Sequence, residues 1–97
     1  MEEEIYISTL YDYYGDLLTD KQKEYFEDYY FSNLSLQEIA DLNSVSRNAV
    51  HKTIITIVDK LKFYEEKLNL YKNRIEINKL LKNKISSELL DKINEIV

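Results

Sequence analysis

Leu36 to Ile54 reads LQEIADLNSVSRNAVHKTI, the pattern of a short helix, a tight turn and a second helix. Ser35 is placed to cap the first helix, and Glu38, three residues on, completes a capping box. Ile39, Ala40 and Leu42 supply apolar surface to that helix. Asn43 and Ser44 interrupt the pattern, Val45 is read as the plug of the turn, and Ser46 is placed to cap the next helix. The second helix then opens with Arg47, Asn48, His51 and Lys52 outside, while Val50 and Ile54 point inward. Arg, Asn, His and Lys on the first turns of a helix can hydrogen-bond base edges and phosphates in a major groove. The stretch is therefore read as a helix-turn-helix.

Spacing alone leaves a second reading open. Two packed helices joined by a tight turn also occur in proteins that never touch nucleic acid. Ser44 sits where such units often place Gly, so a φ above zero there would carry a steric cost. Asn43 and Thr53 occupy places usually given to core aliphatics.

The composition agrees with a helical chain. Ninety-seven residues with 44% hydrophobic content suit one small domain with one modest core. There is no proline and a single glycine, Gly15, whereas a hairpin-rich fold needs such punctuators. The expected architecture is one all-helical domain over 1–97, with the helix-turn-helix at 35–55 and a C-terminal helical extension over 72–97. No window approaches 18 uncharged apolar residues, so no membrane insertion is expected. The start, MEEEIYIS, is acidic and unlike a secretory signal, and the expected location is the cytoplasm.

No cysteine and a single histidine, His51, exclude disulfides, cysteine-based zinc sites and His-rich metal sites. One glycine cannot build a phosphate-binding loop. No cofactor, metal or catalytic constellation is expected, and His51 is read as an exposed contact or plain surface residue rather than a lone acid or base.

Net charge is −5, against the basic norm for nucleic-acid-binding domains. Its distribution is uneven. Residues 1 to 34 hold nine acidic and two basic side chains, 35 to 67 hold five of each, and 68 to 97 hold four acidic and six basic. Acidity is concentrated away from the candidate reading helix, leaving room for a weak basic face but not for strong nonspecific phosphate binding.

Upstream, Glu4 to about Asp16 is expected as a helix with Ile7, Leu10, Tyr14 and Leu17 at helical spacing. Its leading glutamates suit the positive end of the dipole, and Gly15 lies near its end. Tyr6, Tyr11, Tyr13 and Tyr14 fit either a core face or a base-stacking platform. Thr19 with Gln22 makes a second capping box for a helix from Asp20 to about Phe31. Its apolar face takes Tyr25 or Phe26 with Tyr29 and Tyr30.

Downstream, the second helix of the motif does not stop where a minimal unit would. Val50, Ile54, Ile57, Leu61, Tyr64, Leu68, Tyr71 and Ile75 are spaced 4, 3, 4, 3, 4, 3, 4, an a/d heptad with nothing to break it. Such a helix would run on the order of 35 Å. It either packs on the N-terminal helices of its own chain or presents its distal half to a second copy. The homodimer is the favoured reading, with Ile57, Leu61, Tyr64, Leu68 and Tyr71 as the interface. Asn73 is a candidate break. Ile75, Ile77, Leu80, Leu81 and Ile85 continue a helical face beside Lys72, Arg74, Lys79, Lys82 and Lys84, which form either a solvated face or a surface for a phosphate-rich partner. Ser86 or Ser87 is placed to cap a last helix with Leu89, Leu90, Ile93 and Ile96.

Three blocks carry a family resemblance: LYDYYGDLLTDKQKEYFEDYY, then LSLQEIADLNSVSRNAV, then FYEEKLNLY. In this order they resemble the YlxM family of small bacterial proteins, over residues 10 to about 71. The middle also resembles the fourth region of bacterial sigma factors, from TDKQK to SRNAV, with Ser44 and Asn43 as departures from the usual turn. The resemblance implies an all-helical, sigma-region-like fold, a homodimer, and a link through gene neighbourhood to the signal recognition particle and its GTPases. Carried over by matching position, Ser46, Arg47, Asn48, His51 and Lys52 are the candidate contacts to DNA or RNA. The alternative function is a dimeric protein-interaction module that uses the helix-turn-helix as scaffold.

Overall fold

In the computed structural model, residues 2–97 are described, without the Glu2 side chain. Met1 and that side chain, part of the acidic start, lie outside the described residues. Helix α1 covers Glu2–Tyr14 and runs into a 3-10 turn, Gly15–Leu17. Then follow α2 (Asp20–Tyr30), α3 (Leu36–Asn43), α4 (Arg47–Leu68), α5 (Leu70–Leu81) and α6 (Ser87–Ile96). No strand occurs among the described residues.

Local sequence explains most of these boundaries. Both capping boxes form: Thr19 with Gln22 opens α2 and Ser35 with Glu38 opens α3, each side chain satisfying the other's backbone amide. Ser46 and Ser86 cap α4 and α6 by accepting from the amides of Ala49 and Leu89. Gly15 follows the last residue of α1, and its place there rests on close approach rather than backbone freedom. A Cβ at this position would meet the Tyr11 ring at 3.0 Å.

The core is assembled from α1 to α4. Ile7, Leu10 and Tyr14 of α1, Tyr25 and Phe26 of α2, and Ile39 and Ala40 of α3 close over Val50, Ile54, Ile57 and Leu61 of α4. Rings extend it: Tyr11 stacks on Phe26 with centroids 4.1 Å apart. The α1 tyrosines are thus core and core-edge residues.

The structure corrects three expectations. Ile57 and Leu61, assigned above to a dimer interface, are both 0% exposed inside their own chain. They cannot meet a partner without unfolding, because α1 to α3 already occupy the inner face of α4. Of the remaining interface candidates, Tyr64 and Tyr71 are half-buried and Leu68 is exposed. Leu42 and Val45 do not fill the motif's interior; they stand 71% and 42% exposed, because the face that α3 turns to the core is made of Leu36, Ile39 and Ala40.

The heptad does not continue as one helix either. It breaks at Asn69, with φ 54° and ψ 29°, and not at Asn73, which lies inside α5. The Asn69 amide closes α4 on the Glu65 carbonyl at 2.8 Å. Buried Glu65 then accepts from the Tyr71 and Lys72 amides at 3.1 and 3.0 Å, and from the Tyr14 hydroxyl. Tyr14 in turn accepts from the Leu70 amide at 3.1 Å. The first three donors of α5 are therefore satisfied by α1 and α4, which fixes the kink. Beyond it, α5 and α6 form an arm in which no residue is buried. The molecule extends 54 × 24 × 22 Å with a radius of gyration of 16.6 Å, against about 12.5 Å for a compact chain of this length.

Candidate nucleic-acid interface

The α3–turn–α4 unit is held by its own backbone. Ser44 adopts the left-handed conformation, φ 55° and ψ 42°, and its amide returns to the Ala40 carbonyl. The Val45 amide reaches the same carbonyl at 3.1 Å. This is the αL ending that usually recruits Gly, made here by Ser at a steric cost. Asn43 replaces an aliphatic with polar ties: it donates to the Ile39 carbonyl at 2.7 Å and accepts from Lys21 Nζ at 2.6 Å. Thr53 is likewise satisfied, donating to the Ala49 carbonyl at 2.9 Å. These polar residues therefore replace core aliphatics without leaving an orphaned group.

Val50 and Ile54 anchor the inner face of α4 in the core, which turns Arg47, Asn48, His51 and Lys52 outward together. All four are exposed, as is Ser46. Ser46 Oγ accepts from the Ala49 amide at 3.1 Å, leaving its hydroxyl proton free to donate. Among the described residues no ion pair engages Arg47 or Lys52. The first turn of α4 carries no acidic side chain, so the positive end of its dipole is not offset there. The resulting surface presents two cations, an amide, an imidazole and a hydroxyl within two helical turns. It can donate to phosphate oxygens and to purine acceptors in a groove. Exposed Ile55 lies one turn after His51. His51 also lines a 240 Å³ cleft with Tyr29, Tyr30 and Leu36.

A second polar constellation was not read from the sequence. Glu65 lies beside the Leu61–Tyr64–Leu68 stripe, which continues past it without interruption, so the heptad gave no signal of its burial. Burial and its bond to Glu65 raise the Tyr14 phenol to about 12. Tyr11 is raised as well, by burial and its bond to Glu27. Both phenols therefore keep the protons they donate to a higher pH than an unburied tyrosine does.

An all-helical chain whose capped α3 and α4 enclose an αL turn, with a polar outer face on the second helix, is a helix-turn-helix protein. It matches, over residues 1–96, the family described as "Putative helix-turn-helix protein, YlxM / p13 like". The chain belongs to this YlxM / p13-like family. It is 47% identical over 87 residues to a UPF0122 protein of Thermoanaerobacter sp. (strain X514), covering 89% of this chain and 74% of the relative. A Malacoplasma penetrans relative is 46% identical over 92 residues, 92% and 83% of the two chains. One from Fusobacterium nucleatum is 41% identical over 102 residues, 98% and 95% of the two.

Proposed function

We propose that this protein is a non-enzymatic nucleic-acid-binding regulator that reads its target with the N-terminal turns of α4. Arg47, Asn48, His51 and Lys52 make the contacts, and Ser46 holds a phosphate at the helix start. The supporting observation is that these side chains are exposed together on one capped helix, with both cations free of ion pairs among the described residues. The cellular setting proposed is the cytoplasm and the signal recognition particle pathway, on the strength of the resemblance alone. A homodimer is part of the same reading. Leu68 and Tyr71 remain among its contacts, and half-buried Tyr64 lies at the edge.

The test is a fluorescence-anisotropy titration against signal-recognition RNA and against DNA fragments selected from the genome, across a salt series. Replacing Arg47 and Lys52 with Ala should weaken binding by about 1–3 kcal/mol for each base edge no longer read, or lower the salt slope by about one for each phosphate no longer neutralised. Equal binding by the double variant and the wild type would remove α4 as the reader. A protein-interaction reading is favoured by one observation: Leu42 and Val45 stand exposed beside the reading helix, where a phosphate backbone has no use for them. Leu42→Ser with Val45→Ser would leave anisotropy unchanged under the first reading.

A further inference from the structure

Two tyrosine pairs border clefts of opposite charge. Tyr29 and Tyr30 border clefts lined by Glu4 and by Asp59. Tyr13 and Tyr71, with Ile75, floor a 590 Å³ cleft where α5 diverges from α1, and its rim is Arg74, Lys79 and Lys82. Asp12 is the one acid lining it. On the far side of Tyr71 lies a 480 Å³ cleft, but there Lys62, Lys72 and Lys79 are offset by Glu65, Glu66 and Glu76. Aromatic floor and excess positive charge therefore coincide in the first cleft, in a chain whose net charge is −5.

Helical period builds this site. Tyr71, Arg74, Asn78 and Lys82 recur at steps of three and four residues, so α5 and its C-cap turn them to one side. Tyr13 meets them from α1, its ring centroid 6.1 Å from that of Tyr71. Asn78 is fully engaged: its amide donates to the Arg74 carbonyl and to Asn94, both at 2.8 Å, and its oxygen accepts from Asn94 at 2.9 Å. It is wall rather than contact, tying α6 to α5 beside the cleft. Arg74 donates to the Tyr13 hydroxyl at 3.1 Å, which holds its guanidinium between α5 and α1 with its other N–H groups still to give. Lys79 and Lys82 are exposed. Among the described residues none of these three cations has a carboxylate within ion-pair distance.

We infer that the cleft between α1 and α5 binds an unpaired segment of a nucleic-acid strand, with a base on the tyrosine floor and its flanking phosphates on Arg74, Lys79 and Lys82. The inference rests on the nucleic-acid reading for its class of ligand, but not on α4 as the reader. An unpaired base offers a π-face to an aromatic side chain whatever its identity, while cations beside the ring track the backbone. The cleft's volume lies within the range of small-ligand sites. A duplex keeps those faces in its stack and does not enter. Asp12, which as a carboxylate only accepts, repels phosphate from the α1 side. The backbone therefore runs along α5 and the base points to α1, where an exocyclic amine or a ribose hydroxyl donates to Asp12. An acidic peptide would use the same cations but leave the tyrosine faces unmatched. The homodimer reading also uses Tyr71; the cleft takes only the side of that ring facing Tyr13.

The test is fluorescence anisotropy with a short labelled oligouridylate, its deoxy counterpart and a blunt duplex, across a salt series. Binding of either single strand by the wild type meets the proposal, and the tighter of the two names the sugar. Lys79→Ala with Lys82→Ala should flatten the salt slope by about 0.7 for each phosphate no longer met. Tyr71→Leu should weaken single-strand binding about tenfold, whereas Tyr71→Phe, which keeps the π-face, should not. A strand carrying 5-iodouridine should photo-cross-link to Tyr13 or Tyr71. Far-UV circular dichroism checks that Tyr71→Leu remains folded, and the exposed lysine pair reads the cleft even where it does not. Arg47→Ala with Lys52→Ala should leave single-strand binding unchanged. Absence of single-strand binding, cross-links confined to α4, or displacement of the strand by oligoglutamate with Tyr71→Leu inert would each overturn the cleft and leave the α4 reading standing. Duplex binding that survives the α4 variant, with single-strand binding lost in the cleft variants, removes α4 as the reader and keeps the cleft. A wild type that binds none of the three probes overturns both.

Discussion

Replacing Glu65 with Ala should destabilise the whole chain and release the arm, although Glu65 lies far from the reading residues of α4. The carboxylate is 7% exposed and accepts three hydrogen bonds, from the Tyr14 hydroxyl and the Tyr71 and Lys72 amides. Hydrogen bonds to a charged group contribute roughly 1.5–3 kcal/mol each, and a buried donor left unsatisfied costs about 1–3 kcal/mol. The two amides lie at a helix start, which water can reach once the carboxylate is gone. The Tyr14 hydroxyl sits in the core and cannot be rescued in that way. Taking one full penalty and two partial ones gives a loss of about 3–4 kcal/mol, a large part of the roughly 5–15 kcal/mol typical of a domain. Urea unfolding followed by circular dichroism would measure it. Hydrogen exchange should also accelerate at Leu70, Tyr71 and Lys72 before global unfolding. Glu65→Gln keeps an acceptor and should lose less. Because Tyr14 and Glu65 act on one another, Tyr14→Phe and Glu65→Ala should combine to less than the sum of their separate losses. A Glu65→Ala loss below about 1 kcal/mol, with arm amides still protected, would refute the view that this carboxylate holds the kink.

Other outcomes follow from the same geometry. Ser44→Gly removes a Cβ from φ 55° and should raise stability by up to about 1 kcal/mol, the αL penalty less glycine's entropy; a loss in urea unfolding would contradict the turn assignment. Ile57→Ala should cost about 2–5 kcal/mol as a core cavity, and the loss should not change with protein concentration, whereas an interface role would make it concentration-dependent. Tyr14 releases its proton near pH 12 when folded but near 10 when unfolded. The native chain thus holds that proton longer, so the stabilisation is complete below about pH 10 and is lost as pH rises towards 12. An ultraviolet phenolate titration should show Tyr14 and Tyr11 ionising late. Full ionisation of Tyr14 and Tyr11 near pH 10 in a still-folded chain would exclude their bonds to Glu65 and Glu27.

How much was legible in the sequence divides by the range of the interaction. The capping boxes at Thr19 and Ser35, and the caps at Ser46 and Ser86, were readable because each joins residues three apart in the chain. So was the strain at Ser44, since a backbone position between two helices is a local matter. The outward setting of Arg47, Asn48, His51 and Lys52 followed from helical period once Val50 and Ile54 pointed inward. Leu42 and Val45 were misplaced because hydrophobicity marks what can be buried, and only the angle between α3 and α4 decides what is.

The amino-acid sequence alone determined an all-helical chain, the helix-turn-helix and the side chains on its second helix. It did so because period, caps and the lack of proline act within a few residues. Only the tertiary structure decided that the heptad is two helices rather than one, since apolar spacing is the same on either side of Asn69. The kink is held by Tyr14, which reaches Leu70 from 56 residues away in the chain. The same fold decided which half of the heptad is core and which is surface. Periodicity says that residues share a face, but what covers that face depends on where α1 to α3 come to rest.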